Sequence, residues 1–310
     1  MGLHYAVTGC HGQLGRCLVR ALSDPEVPDR LVESLSHAEL DIADRAAVAR
    51  AFDGFAGGAP DVLVNAAAYN QVDRCESEGA EAAMRTNGEG PGVLASVCAE
   101  AGTRLVHVST DYVFSGDGDS PVREDASPAP RTAYGRSKLE GEQQVLGVAS
   151  DAMIVRTSWV FGPGKNFVGA ILRQGQLRRS GELQGPLRVV DDQRGCPTYA
   201  ADLAEAIRVL AAASAPGGIY HWQNAADPGD PDAPTWWDFA RAILDAAGYA
   251  DLEIDRVATK DIAAPAPRPA YSVLSCERAE AHGAQRRSWR EALVAYLGSS
   301  DLRVTLEASA

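Results

Sequence analysis

The sequence predicts an α/β fold built on a doubly wound parallel sheet, with a second and smaller α/β lobe. Apolar strand-like runs alternate with helical patterns through the first half of the chain, and a glycine-rich turn joins the first run to the first helix. Such alternation is typical of parallel sheets with right-handed crossovers. The length of 310 residues also exceeds the usual size of one domain, which indicates two lobes.

Five strands and four helices follow from these patterns in chain order. The strands are expected at 5–8, 31–35, 62–65, 105–109 and 153–157. The helices between them are expected at 13–22, 46–55, 80–101 and 136–146. Ligands bind outside the carboxyl ends of the strands in such sheets. The motifs that follow the first four strands are therefore the candidates for a binding site, and they share one edge of the sheet.

The turn after the first strand carries Gly9, Gly12 and Gly15. Glycines at this point allow a tight turn and a close approach of the backbone to a pyrophosphate, whose charge then lies at the positive end of the next helix. The spacing G-x-x-G-x-x-G differs from the common G-x-G-x-x-G pattern of dehydrogenases. The turn alone therefore leaves open a glycine-rich turn without a ligand.

The second strand ends in Ser36 and His37, where an acidic residue would bond a ribose 2′-hydroxyl and repel a 2′-phosphate. The missing acid favours NADPH, with His37 as a neighbour of the phosphate. Glu33 is close enough in sequence to leave NADH open. Asp41 could bond an adenine amino group, or cap a helix that starts near Ala43.

Small residues follow the third strand at Ala66, Ala67 and Ala68. They would let the ribose and nicotinamide of a cofactor approach the backbone, although a close-packed strand end without a ligand gives the same pattern. We favour the cofactor interpretation because the glycine turn is expected beside them.

A tyrosine and a lysine four residues apart, Tyr134 and Lys138, fall on one face of a helix. An ammonium near a phenol favours the phenolate, so we expect Lys138 to lower the pKa of Tyr134 towards neutral. Tyr134 therefore reads as a proton donor or acceptor. This spacing of tyrosine and lysine often arises by chance. The segment Ser109-Thr110-Asp111 after the fourth strand supports the catalytic interpretation.

Composition excludes several other classes of protein. The net charge of −13 and the lack of a clustered basic run argue against a nucleic-acid surface. Six cysteines without a C-x-x-C pair predict reduced thiols in a cytoplasmic protein. We expect no membrane insertion and no export signal. The sequence does not decide between a monomer and a homodimer.

Taken together, the motifs resemble a known family. They are Gly9–Gly15, Leu40–Asp44, Val64–Tyr69, Val108–Phe114, Tyr134–Lys138, Arg156–Phe161, Asp191–Gln193, Cys196–Thr198 and Arg268–Pro269. The chain resembles the extended short-chain dehydrogenase/reductases, which have a Rossmann fold, and more closely the dTDP-4-dehydrorhamnose reductases. The resemblance extends to about Leu297.

This resemblance implies reduction of a sugar C4 ketone by hydride from NADPH. Tyr134 would protonate the ketone oxygen, Lys138 would bond the nicotinamide ribose, and Thr110 would orient the carbonyl. The implied cofactor-binding residues are Gly9, His11, Gly12, Gln13, Leu14, His37, Asp41, Ile42, Ala66, Ala67, Ala68, Tyr69, Tyr134 and Lys138.

The implied substrate is a dTDP-4-keto-deoxysugar. The predicted substrate-binding residues are Asn70, Asp111, Trp159, Asn166 and Arg268. For Trp159, stacking on the substrate and filling the junction between lobes remain alternatives. Residues 162–187 and 227–269 would form the substrate-binding lobe. Residues 1–161 would form the dinucleotide-binding domain, with 188–226 and 270–298 returning to it.

Individual residues argue against a dehydration reaction and against a magnesium site. Sugar-nucleotide 4,6-dehydratases carry Asp-Glu where this chain has Asp111-Tyr112, and a tyrosine cannot replace that glutamate, which argues against dehydration. Adjacent carboxylates at Asp191 and Asp192 suggest a metal, but the partner acid expected in the first helix is missing. We therefore expect loop anchors and no magnesium site.

Two alternative functions remain. A dihydrostreptose-forming reductase, which couples reduction to ring contraction in aminoglycoside biosynthesis, would keep every residue named above. A regulatory subunit of methionine adenosyltransferase has a similar fold, binds dinucleotide and does no chemistry. Fold does not separate these possibilities, whereas an intact Thr110, Tyr134 and Lys138 favours an enzyme.

Overall fold

The central sheet has six parallel strands. The computed structural model describes residues 2–55, 57–227 and 233–309. The described residues contain the strands β1 (His4–Thr8), β2 (Arg30–Leu35), β3 (Val62–Asn65), β4 (Arg104–Thr110), β5 (Met153–Thr157), β6 (Val160–Phe161), β7 (Leu187–Val190), β8 (Thr198–Tyr199), β9 (Gly218–His221) and β10 (Ile254–Val257), six of which form the central sheet. The sheet order is β2-β1-β3-β4-β5-β9. The order reverses at β1, which confirms the predicted doubly wound sheet.

Helices cover both faces of this sheet. The α-helices of the described residues are α1 (Gln13–Leu22), α2 (Arg45–Gly54), α3 (Val72–Cys75), α4 (Ala80–Ala83), α5 (Gly90–Ala101), α6 (Ala133–Val148), α7 (Phe167–Arg179), α8 (Ala200–Ala212), α9 (Trp236–Ala246), α10 (Glu277–Ala281), α11 (Trp289–Leu297) and α12 (Ser300–Ser309). Apolar residues of α1 and α8 pack on one face in one cluster. Those of α2 and α5 pack on the other face.

The predicted helix 80–101 is interrupted by a π-helical segment, Met84–Glu89. Asn87 in this segment is fully buried and bonds the backbone of Tyr69 in both directions, through Oδ1 to the amide at 2.8 Å and through Nδ2 to the carbonyl at 2.9 Å. π-helical turns are frequent near functional sites. This one fixes the segment that follows β3.

The second lobe contains β7 and β10, which pair in parallel, and helices α7 and α9. Its apolar cluster also includes Trp289 and Tyr296 of α11, whereas Ala279 of α10 packs in the cluster of the large domain. Residues 270–298 are thus shared between the two clusters. The boundaries given above remain a prediction, and residues 228–232 of the predicted lobe lie outside the described residues.

Two further observations concern the chain as a whole. Its six cysteines are free and buried. Within the described ranges, the helices are too short or too polar to cross a bilayer.

Candidate active site

The turn between β1 and α1 requires glycine at two positions, because a side chain there would clash with neighbouring backbone. Gly9 has a φ of +71°, and a Cβ there would lie 2.6 Å from the Ala67 amide nitrogen. A Cβ at Gly15 would lie 2.1 Å from the carbonyl oxygen of Gly9. The first turn of α1 carries no acidic residue. Backbone N–H groups and the positive helix end therefore face the space where a pyrophosphate would bind.

A cavity of about 750 Å³ opens beside this turn. It brings together most of the predicted cofactor-binding residues, namely Gly9, His11, Gly12, His37, Asp41, Ile42, Ala66, Ala67, Ala68 and Tyr69. Gln13 and Leu14 line a neighbouring cavity that shares Gly12 and Ala66 with the first. The size, the glycine cradle and the helix end fit a dinucleotide.

A carboxylate from outside β2 reaches Ser36, the residue that follows the last residue of that strand. Glu39 folds back on Ser36, and its Oε2 accepts hydrogen bonds from the Ser36 amide at 2.8 Å and from the Ser36 hydroxyl at 2.6 Å. These bonds lower the pKa of Glu39. Ser36 and His37 line the first cavity, as expected, and the carboxylate of Glu39 is bonded to Ser36 without being part of that lining.

Asp41 lines the first cavity but does not cap a helix, so that alternative is wrong. Its Oδ1 accepts from the Ala43 amide at 3.0 Å and its Oδ2 from Arg85 at 2.5 Å. Asp44 is the cap of α2, accepting from the Ala47 amide at 3.0 Å. The hydrogen bond from Arg85 lowers the pKa of Asp41. Asp41 is therefore an ionised, partly exposed member of the cavity lining.

The neighbouring cavity, of about 490 Å³, collects the predicted catalytic residues. Thr110, Tyr134 and Lys138 all line it, as do the predicted substrate-binding residues Asn70, Asp111, Trp159 and Arg268. They come from the carboxyl ends of strands, from loops and from the first two turns of α6, which Thr132 caps by accepting from the Gly135 amide at 2.9 Å. One groove thus joins the glycine turn to these side chains.

Lys138 is almost fully buried and is held by neighbouring backbone. Its Nζ donates to the Val108 carbonyl at 2.7 Å and lies 3.3 Å from His107 Nε2. Burial lowers the pKa of Lys138 to about 8, opposed by the charge of Glu142. Lys138 can therefore lose its charge in the mildly basic range.

Tyr134 behaves differently from the sequence expectation. Burial raises its pKa above the usual value of 10, and the charge of Asp111 adds to the rise. Lys138 does not offset these effects in the structure, so the expected lowering is wrong. A phenol that keeps its proton at neutral pH is a proton donor, which is the form that reduction of a ketone requires.

Asp111 is a buried carboxylic acid inside this groove. Its Oδ1 accepts from the Thr110 hydroxyl at 2.9 Å, while its Oδ2 is buried without a partner within the described residues. Burial raises the pKa of Asp111 to about 6, against the lowering by hydrogen bonds from Thr110 and Ser272. The free oxygen is available to a substrate hydroxyl.

Trp159 forms a platform at the junction of the lobes. Its backbone has a φ of +48°, a strained value for a bulky residue. Its indole stacks on Trp236, with ring centroids 3.6 Å apart. A Cβ at Gly195 would lie 2.4 Å from the Trp159 ring. The stacking and the close packing hold the indole in the lining of the groove, a position that is compatible with both alternatives given for it above.

Arg268 reaches the groove paired with Asp73. Its Nη2 donates to Asp73 Oδ2 at 2.7 Å and its Nη1 to the Ala266 carbonyl at 2.9 Å. The hydrogen bond from Arg268 lowers the pKa of Asp73. The guanidinium is thus held in place with donors remaining on its other edge.

Asn166 does not join the groove. Its Oδ1 caps α7 by accepting from the Gly169 amide at 3.1 Å, and its Nδ2 donates to the Gly164 carbonyl at 2.9 Å and to Tyr296 at 3.1 Å. These partners occupy the amide as a structural anchor. The substrate contact expected for Asn166 is therefore not supported by its position.

The carboxylates of Asp191 and Asp192 are engaged by protein donors. Asp191 accepts from Thr235 at 2.8 Å and from Arg256 at 2.6 Å. Asp192 accepts from the Thr259 hydroxyl at 2.5 Å and from its amide at 2.9 Å. The absence of a magnesium site remains a prediction.

Known proteins are similar to this chain in sequence and in fold. A profile of the RmlD substrate-binding-domain family matches residues 4–301. A dTDP-4-dehydrorhamnose reductase of Streptomyces griseus is 42% identical, over 93% of this chain and 91% of its own. The chain belongs to the dTDP-4-dehydrorhamnose reductase family.

Two other relatives show the range of this family. The crystal structure of the dTDP-4-dehydrorhamnose reductase of Bacillus anthracis in complex with NADP has a TM-score of 0.84 and 33% identity, covering 96% of this chain and 99% of the other. A probable dTDP-4,6-dihydroxy-2-methyloxan-3-one 4-ketoreductase of Streptomyces antibioticus is 40% identical, over 94% of this chain and 93% of its own. Two relatives that are about equally similar to this chain are therefore named for different substrates.

Several groove residues of this reductase-family chain were not predicted from the sequence. Trp236 lies at the start of α9, and Ser272 and Asp73 lie in or against the groove. A capping box at Thr235 and Asp238 marks the start of α9 and would have placed Trp236 in its first turn. Ser272 and Asp73 carry no local pattern that indicates a site.

Proposed function

We propose that this protein reduces the C4 ketone of a dTDP-4-keto-6-deoxy-L-hexose with NADPH, as in the conversion of dTDP-4-dehydrorhamnose to dTDP-L-rhamnose. The observation that carries the proposal is the single groove that unites Thr110, Tyr134 and Lys138 with Asp111 and the glycine turn. Membership of the reductase family supports it. Cytoplasmic location and a monomer or homodimer belong to the same proposal.

The chain's own residues perform the acid chemistry. A bound reduced nicotinamide supplies the hydride. Tyr134 holds its phenolic proton and gives it to the ketone oxygen, so that the O–H bond of Tyr134 breaks as the product hydroxyl forms. Thr110, whose hydroxyl now bonds Asp111 at 2.9 Å, turns to the ketone oxygen and orients it. Lys138 contributes positive charge beside the phenolate that Tyr134 leaves.

Substrate binding is assigned to the second cavity. Asn70 and Asp111 face the sugar, Trp159 stacks with the nucleotide or the sugar, and Arg268 receives the diphosphate. Positioning by the remote nucleotide lowers the barrier because it fixes the ketone against Tyr134.

The proposal is tested by following the absorbance of NADPH with purified protein and dTDP-4-ketosugars. We expect oxidation of NADPH that depends on the ketosugar and gives one mole of product per mole of cofactor. Cofactor binding without oxidation on any of these sugars would favour the regulatory-subunit alternative. Other ketosugars should be tested as well, because a relative in Streptomyces antibioticus is named as a probable 4-ketoreductase of a different sugar nucleotide. Asn70 lines the groove and is the residue that we expect to discriminate between these sugars.

Cofactor choice gives a separate prediction. A carboxylate at the end of β2 repels a 2′-phosphate and suits a 2′-hydroxyl. We expect Glu39→Gln to raise the ratio of kcat/KM with NADPH to kcat/KM with NADH by about 5–20-fold, because the repulsion disappears. Steady-state kinetics with both cofactors would measure it.

Glu33→Gln is the matched control, since it removes the same charge from β2 and leaves the bonds of Glu39 to Ser36 in place. Its ratio should stay near that of the wild type. A larger change in Glu33→Gln than in Glu39→Gln would assign the discrimination to Glu33 and contradict the role given to Glu39.

A further inference from the structure

A buried row of polar side chains leads from Lys138 into the centre of the sheet. Lys138 Nζ lies 3.3 Å from His107 Nε2, and His107 Nδ1 lies 3.0 Å from Asn65 Nδ2. Asn65 Oδ1 accepts from the Thr8 hydroxyl at 2.7 Å. All four residues are at most 2% exposed. The reaction described above uses Lys138 and leaves the rest of the row without a role.

The direction of these hydrogen bonds is fixed by a backbone amide. The Ala67 N–H donates to Asn65 Oδ1 at 3.1 Å. An N–H can only donate, so this oxygen is an acceptor and Asn65 Nδ2 points at His107. Nδ2 is a donor in turn, so His107 Nδ1 must accept. The proton of the neutral imidazole therefore lies on Nε2, the nitrogen that faces Lys138.

An Nε2–H facing Lys138 has a chemical consequence. An ammonium carries donors and no lone pair, so two donors would face each other across 3.3 Å if Lys138 were charged. A neutral amine accepts from Nε2–H while still donating to the Val108 carbonyl at 2.7 Å. The row therefore favours the neutral form of Lys138.

The surrounding charges are consistent with this direction. Burial lowers the pKa of Lys138 to about 8, and burial followed by the charge of Lys138 lowers the pKa of His107 well below its usual value. Glu142, one turn further along α6, acts in the opposite sense on Lys138. Its carboxylate is bound by Arg156 through Nε at 2.9 Å and Nη2 at 2.6 Å. Tyr134, on the same helix, and Asp111, after β4, also face the groove.

We propose that His107 is a positioning residue for Lys138: the Thr8–Asn65–His107 row presents a hydrogen-bond donor to the lysine nitrogen and so sets the pH at which the active site loses its positive charge. The consequence for turnover rests on the proposed function, in which that charge stabilises the phenolate of Tyr134. The orientation of the row itself does not.

The first test reads the imidazole directly in protein without cofactor. In a long-range ¹H–¹⁵N NMR spectrum of ¹⁵N-histidine-labelled protein, the His107 signals are those missing from His107→Gln. We expect the pattern of a neutral ring protonated at Nε2, unchanged through the neutral pH range. A ring protonated at Nδ1, or a charged ring at neutral pH, would overturn the proposal. This result does not depend on the identity of the substrate.

The second test uses the pH profile of kcat/KM. Removing a donor that favours the neutral amine leaves Lys138 easier to protonate, so the loss of activity at high pH should move upward in His107→Phe by about half a unit or more. A downward shift would show that His107 had favoured the charged form, and an unchanged profile would show no coupling. Both results would contradict the proposal. The exposed His4→Gln, which removes a histidine from β1, is the matched control and should keep the wild-type profile.

Discussion

Replacing Tyr134 by Phe should lower kcat for reduction by about 10²–10⁴-fold, the usual contribution of a general acid. The ring of Tyr134 packs edge-on against Tyr112 with centroids 5.5 Å apart, a contact that phenylalanine keeps. The hydroxyl is the group removed. Steady-state kinetics with the ketosugar and NADPH would measure the loss, and fluorescence titration with NADPH would measure cofactor affinity.

Cofactor affinity should change little in this variant, because Tyr134 is not among the residues that line the first cavity and the glycine turn is untouched. Tyr249→Phe, in the second lobe and against Arg179, removes the same atom far from the groove and should leave kcat unchanged. Activity of Tyr134→Phe near the wild-type level, with normal cofactor binding, would show that another group donates the proton.

Replacing Arg156 by Met should cost about 3–5 kcal/mol of unfolding free energy, because it leaves a buried carboxylate without its partner. The side chains of Arg156 and Glu142 are 1% and 2% exposed, and two hydrogen bonds join them. The guanidinium also lies 4.9 Å from the centre of the Phe114 ring. Urea unfolding, with the same slope required in both proteins, would measure the loss.

Arg74→Met is the control, since it breaks an ion pair with Glu78 in which both side chains are mostly exposed. Exposed pairs contribute little, so its unfolding midpoint should match that of the wild type. A comparable loss in both variants would show that the cost comes from arginine removal in general. No loss in Arg156→Met would contradict the account of a buried charge that depends on its partner.

Patterns in the sequence predicted the elements of the fold that are determined by residues close together in the chain. The observed bounds of β3, α1 and β5 are those predicted. Each of these elements can be recognised from the spacing of its own apolar residues, without knowledge of the rest of the chain. β9 was not predicted. It is four residues long and joins the sheet beside β5, a pairing that only the tertiary fold produces.

The candidate site shows the same division between local and distant effects. The groove residues predicted from motifs follow strands, and the shared sheet edge brings them together. Glu39 reaches Ser36 because the chain turns after β2, with the Glu39 amide bonding the Ser36 carbonyl at 3.1 Å. His107 looked like an ordinary strand residue, since nothing in its neighbours shows that its ring meets Lys138. The raised pKa of Tyr134 comes from burial, which the spacing of two residues does not reveal.

Product analysis tests the central claim most directly. The protein would be incubated with dTDP-4-keto-6-deoxy-L-mannose and NADPH deuterated at the transferable position, and the product examined by NMR and mass spectrometry. We expect dTDP-L-rhamnose with one deuterium on C4. A ring-contracted pentofuranose would contradict the proposed product and support the dihydrostreptose-forming alternative, while unchanged substrate beside tightly bound cofactor would contradict the assignment of this reductase activity.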